Sequence, residues 1–159
     1  KIYNYPGLSK VKRIYLHDYW WVFDKKRLKD FLEKLSKKTG GKIYLFGPKM
    51  AYNNSLIDVF QISRIKGTSF ESLLKQDQMD ERTRINKKAM KLVKGLNNKE
   101  LDIEFVNLLS LQCGKAYSKC QVQGAGGELY YFDDSHFNIL GARNLGAKLK
   151  EKRPSLFPQ

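Results

Sequence analysis

The chain has 159 residues, of which 42% are apolar and 13% aromatic, a length and composition that suit one packed domain and exclude a disordered segment. It contains no apolar run long enough for a membrane-spanning helix and no signal-peptide pattern at Lys1. Its net charge of +14 would suit a nucleic-acid binder, but the charges are spread, as at Lys10–Arg13, Lys37–Lys38 and Lys87–Lys88, and no zinc-finger, helix-turn-helix or RNA-binding signature accompanies them.

Residues 11–17 (Val-Lys-Arg-Ile-Tyr-Leu-His) are rich in branched and aromatic side chains and predict a strand. Leu28, Phe31, Leu32 and Leu35 recur at helical spacing within 25–38 and predict an amphipathic helix ended by Thr39-Gly40-Gly41, the glycines accepting a left-handed turn. Lys42–Phe46 is a short buried-strand pattern stopped by Gly47-Pro48. Strand, helix and strand in that order predict an α/β fold with a parallel sheet.

Residues 49–68 are weakly patterned, with a turn at Asn53-Asn54 and one or two helical turns over 56–62. Ile85, Ala89, Leu92 and Val93 predict a helix over 80–96, broken at Asn97-Asn98, and a third strand is expected at 103–109. Cys113 and Cys120 follow in one segment; their spacing does not suit a zinc site, and they read either as two free thiols or as a bridge in an oxidising compartment. Gly124–Gly127 turns into a strand-like segment, 128–132, and Asn138 is placed to cap a last helix whose Gly141, Ala142, Gly146 and Ala147 form a small-residue face.

Between that last strand pattern and the last helix lies Asp133-Asp134-Ser135-His136. A carboxylate three residues before a histidine can curl beneath the imidazole, hold one tautomer and stabilise the imidazolium. That is two thirds of a Ser-His-Asp device. The edge of an α/β sheet beyond its strand ends is also where active sites gather. By itself the pattern also fits a plain Asp turn with a surface histidine.

The run Glu128-Leu-Tyr-Tyr-Phe-Asp-Asp-Ser-His-Phe-Asn-Ile-Leu-Gly-Ala142 resembles the last block of the SGNH (GDSL-like) hydrolases, in the version fused to membrane acyltransferases of the acyltransferase-three family. Phe137 and Asn138 stand where that block usually has leucine and serine. Arg13–Trp20 resembles the family's strand ending in tryptophan, Lys42–Pro48 its strand followed by Gly-Pro, and Cys113–Cys120 its cysteine pair.

The resemblance implies a single domain over 1–159, a three-layer α/β/α sandwich with a mainly parallel sheet (SGNH or flavodoxin-like), lacking its first strand and helix. His136 would be the base and Asp133 the acid, with Asp134 the rival acid and Trp20 and Tyr19 at the pocket. Cys113 and Cys120 would be bridged, and neither cofactor nor metal is called for. The chain has no Gly-Asp-Ser, so the nucleophilic serine is expected outside it and the chain alone is expected to be inert. Ser63, Ser69 and Ser72 lie in the wrong context to replace it.

The implied activity is transfer of an acyl group, acetyl foremost, onto a cell-envelope polysaccharide at the periplasmic face of the inner membrane, the donor arriving through an N-terminal transmembrane domain. No nucleic acid takes part. The alternatives are a secreted esterase or carbohydrate acetylesterase of the same fold, and a non-catalytic basic module for nucleic acid or another anionic polymer.

Overall fold

The computed structural model describes residues 5–17, 20, 22–97, 101–117 and 119–157. In chain order the elements are β1 (Arg13–His17), α1 (Lys25–Lys38), β2 (Lys42–Phe46), α2 (Leu56–Lys66), α3 (Phe70–Asp77), α4 (Asp80–Asn97), β3 (Ile103–Val106), α5 (Leu108–Cys113) and α6 (Ile139–Lys152). They form an α/β fold divided into two compact units, Lys1–Pro48 with Arg84–Leu108, and Lys49–Thr83 with Leu109–Gln159.

The first unit holds a parallel sheet in the order β1-β2-β3. Registered pairing sets Ile14 beside Ile43 and Ile43 beside Ile103, with Leu16, Leu45 and Phe105 two residues along. Successive side chains of a strand alternate between faces, so these six share one. They pack in a common core with Leu28, Leu32 and Leu35 of α1 and with Ile85, Ala89, Leu92, Val93 and Leu96 of α4. The helical periodicity of both segments is thus the imprint of this core. On the other face Tyr15 stacks on Tyr44 at 5.3 Å, and Lys42 pairs with Glu104 at 3.0 Å.

Asp24 caps α1 by accepting the Arg27 N–H at 2.9 Å. At the other end the helix stops at Thr39, which is extended, and neither Gly40 nor Gly41 has a positive φ. Gly41 is required for a different reason: a Cβ there would lie 2.1 Å from the Val11 carbonyl oxygen.

Three segments differ from their sequence patterns. The third strand ends at Val106, and Leu108 and Leu109 belong to α5, because its partner β2 ends at Phe46, opposite Val106, before Gly47-Pro48 and leaves no backbone to pair with. Residues 128–132 make no strand. Their backbone bonds go to near neighbours, Tyr130 N–H to the Val122 carbonyl (2.8 Å) and Phe132 N–H to that of His136 (3.1 Å), leaving only the isolated bridges Gln123–Leu129 and Tyr131–Phe137. Residues 49–77 are more helical than their weak periodicity suggests. Caps rather than an apolar stripe mark α2 and α3: Ser55 accepts from Ile57 N–H, Ser69 from Ser72 N–H, and Gly67 closes α2 at φ 60°.

The second unit has its own core of Met50, Tyr52, Leu56, Val59, Leu74, Leu109, Val122, Tyr130 and Tyr131. Cys113 and Cys120 form a disulfide beside it, Cys113 being buried. Closing so short a loop stabilises by about 2.5 kcal/mol on the chain-entropy account. The Cys113→Ser/Cys120→Ser protein should therefore show a free energy of unfolding lower by about that amount in urea titration.

Asn138 caps α6, its side chain accepting from Gly141 N–H at 3.0 Å. Gly141 is buried, and a Cβ there would come within 2.2 Å of the Tyr130 carbonyl oxygen and 2.7 Å of the Phe137 ring. Alanine favours a helix over glycine by up to about 1 kcal/mol, but a clash with backbone cannot be relieved by a rotamer change. Gly141→Ala is thus expected to destabilise by about 3 kcal/mol, read as a lowered denaturant midpoint. Gly146 has open space at its Cβ position, so the small-residue face is a packing requirement at Gly141 and not at Gly146.

Candidate active site

Asp133 organises its own turn. One carboxylate oxygen accepts the backbone N–H of Ser135 at 2.8 Å and of His136 at 2.6 Å, and the other meets His136 Nδ1 at 2.7 Å. Burial opposes ionisation of Asp133, but the His136 and Ser135 amides and then the imidazole outweigh it and hold the carboxyl below its usual range. With Nδ1 committed to Asp133, Nε2 on the far side of the ring is left to take or give a proton. The His136 side chain is 67% accessible and stacks on Phe132, with ring centroids 5.7 Å apart.

Asp134 engages differently: its backbone carbonyl accepts from Tyr52 N–H at 2.9 Å, while the imidazole is bonded to Asp133. Ser135 is buried, and its hydroxyl lies 3.4 Å from Nδ1, the nitrogen already taken by Asp133. That is the wrong side for a nucleophile, which needs Nε2. Ser63, Ser69 and Ser72 serve helices: Ser63 Oγ donates to the Phe60 carbonyl at 2.7 Å, Ser69 caps α3, and Ser72 lies within α3.

The loop is anchored on the segment following β2. Tyr131 O–H donates to the Met50 carbonyl at 3.0 Å, Gln112 accepts from Met50 N–H at 2.9 Å, and the Gln112 amide donates to the Tyr131 hydroxyl. Burial raises the Tyr131 pKa well above the usual phenol value, so this network stays protonated. Lys49 Nζ lies over the rings of Phe137 (5.1 Å) and Tyr131 (5.7 Å). Burial, and then repulsion from Arg82, lower its pKa to about 8 against the pull of Asp133 and Asp134.

The structure therefore brings Asp133, Asp134 and His136 together in the second unit. Trp20 belongs to the first, where it is 3% exposed in the core and its Nε1–H donates to the Phe46 carbonyl at 3.0 Å. Tyr19 lies outside the described residues. Lys49, Phe132 and Gln112 carried no sequence signal: each is an isolated residue whose partner is far along the chain or whose role is only stacking. Asp133, Asp134 and His136 could also offer ligand atoms within 4.8 Å of one another, but a cation bound through Nδ1 would have to break the Asp133–His136 contact.

The arrangement can hold an imidazole in one tautomer and offer its second nitrogen as a general base. No helix among the described residues is long and apolar enough to cross a membrane. A family model described as "SGNH domain (fused to AT3 domains)" matches residues 7–151. Among solved structures the chain is similar to a lipopolysaccharide acetyltransferase periplasmic domain from Salmonella ser. Paratyphi A, with a TM-score of 0.65 at 18% identity. That match covers 89% of this chain and 56% of the other, so this chain spans little more than half the length of its solved relative. No curated protein sequence matches the chain.

Proposed function

Because the chain belongs to the family of SGNH domains fused to AT3 domains, we propose that its two units make one domain of a membrane acyltransferase and that this domain passes an acyl group to a cell-envelope polysaccharide. The observation that carries the reading is the 2.7 Å contact between His136 Nδ1 and Asp133, which leaves Nε2 available on an accessible ring.

In this reading a serine outside these residues attacks the acyl carbonyl as Nε2 takes its proton, and the proton then goes to the leaving group. The resulting acyl-serine ester is attacked by a sugar hydroxyl, again with Nε2 as base, and the serine is regenerated. Asp133 keeps the imidazole aligned and stabilises its cation through both steps. The family's association with AT3 domains points to a membrane partner domain as the source of the acyl group. The disulfide supports an extracytoplasmic location, since such bonds persist in oxidising compartments. The acetyl group and the polysaccharide acceptor are carried over from the lipopolysaccharide acetyltransferase to which the fold is similar.

The test is mass spectrometry of envelope polysaccharide from cells making the whole protein or a version with this domain deleted. Acyl esters that appear only with the whole protein support the reading. Free acid released with no ester on any glycan would overturn it in favour of an esterase.

A further inference from the structure

We propose that Phe132 is a positioning residue for His136: its ring, stacked along one face of the imidazole, fixes the plane of that ring and so the direction in which Nε2 points. The inference rests on the reading of His136 as the base and adds to it the residue that aims the base.

The need for such a residue follows from how little else holds the ring. A general base must present its nitrogen within hydrogen-bond reach of the proton it takes, and small errors of aim cost rate. Asp133 holds one atom, Nδ1, at 2.7 Å. A ring held at one atom still swings about that contact, and the torsion that turns a histidine ring is broad, without sharp staggered wells. The Ser135 hydroxyl, 3.4 Å from the same nitrogen, acts on the same side. With the side chain 67% accessible, burial supplies no walls around it.

The register of the turn supplies the missing restraint. Tyr131 and Phe137 face each other in the bridge, so Phe132 and His136 are the next pair along, joined by the Phe132 N–H to the His136 carbonyl at 3.1 Å. Successive side chains alternate between faces, and opposite ones share a face. Tyr131 and Phe137 turn inward, their ring centroids 4.6 Å apart in the core of the second unit. Phe132 and His136 turn outward together, their rings nearly parallel at 15° with centroids 5.7 Å apart, within the range favoured by offset aromatic pairs. At 56% exposure Phe132 adds little to the core; what it covers is one face of the imidazole. A fixed atom and a covered face together define the orientation of the ring and leave its other face open to nucleophile and acyl group.

The test combines ¹³C relaxation of the His136 Cε1–H in the chain, which has two histidines to assign, with acyl transfer by the whole protein. Both are measured in the wild type, Phe132→Leu and Phe132→Tyr. The wild-type imidazole should have an order parameter of about 0.85, the value of rigid backbone. Phe132→Leu should bring it below about 0.6 and lower transfer roughly three- to ten-fold, the worth of one aromatic pair. Phe132→Tyr, which keeps the stack, should restore both. A mobile imidazole in the folded wild type would overturn the proposal, with no variant needed. So would full transfer from a Phe132→Leu protein whose imidazole is mobile. Lowered transfer with the imidazole still ordered would overturn it too, since Phe132 would then be touching substrate. The reading of His136 itself fails on other evidence, namely undiminished transfer after its replacement, which leaves the relaxation result as it stands.

Discussion

His136→Ala, introduced into the whole protein, should on the proposed mechanism lower acyl transfer by roughly three to four orders of magnitude and leave the domain folded. The size follows from the step that is lost. In the proposed mechanism Nε2 takes the proton of the attacking hydroxyl in both halves of the reaction, and alanine removes it. The fold should survive because the imidazole is largely in water, its contacts being the Asp133 bond, a 3.4 Å approach of the Ser135 hydroxyl and stacking on Phe132. The turn itself is held by the backbone amides of Ser135 and His136, which alanine retains. Ester content of the polysaccharide, measured beside the thermal midpoint of the domain, separates the two effects. Wild-type transfer with His136 absent would sink the assignment.

Asp133→Asn and Asp134→Asn should diverge sharply. In the first, an amide oxygen can still accept the two backbone N–H groups, so the turn persists. The group facing Nδ1 becomes neutral, however, and the imidazole loses the partner that fixed its tautomer and stabilised its cation. Comparable substitutions behind a catalytic histidine cost about four orders of magnitude in rate. Asp134→Asn leaves the Tyr52-to-Asp134 backbone bond intact and should change transfer by no more than a few-fold. Equal loss in both variants would show that the two carboxylates act as one unit.

Asp133 also gives the stability a pH dependence of known sign. Its folded pKa lies below the unfolded one, so its contribution is fully present above the ordinary aspartate pKa and is lost as pH falls through the folded value. Its partial exposure keeps that contribution small.

The parts of the molecule legible in the sequence are those whose cause is local. The Leu28–Leu35 and Ile85–Val93 stripes each show which face is buried, because burial at a fixed period leaves its mark in the residue order, and the Lys42–Phe46 run shows a strand covered on both faces by being apolar without a period. Asp133 and His136 were legible for the same reason: the interaction spans three residues and needs no distant partner. Segments organised by capping and close approach were less legible. Ser55 and Ser69 start helices that have weak apolar patterns, and Gly41 is demanded by the Val11 carbonyl some thirty positions earlier.

By itself, then, the sequence determined the α/β order of the elements, the cap of the last helix, and the pairing of Asp133 with His136 in a block that carries the family signature. Tertiary structure alone decided that 128–132 stays out of the sheet, that Trp20 is spent on the core, and that Lys49, Gln112 and Tyr131 meet beneath the Asp133–His136 turn. The physical reason is distance along the chain. A hydrogen bond between residues 50 and 131, or a lysine resting on rings more than eighty positions away, leaves no periodicity and no spacing to read, and exists only once packing has brought the two segments together.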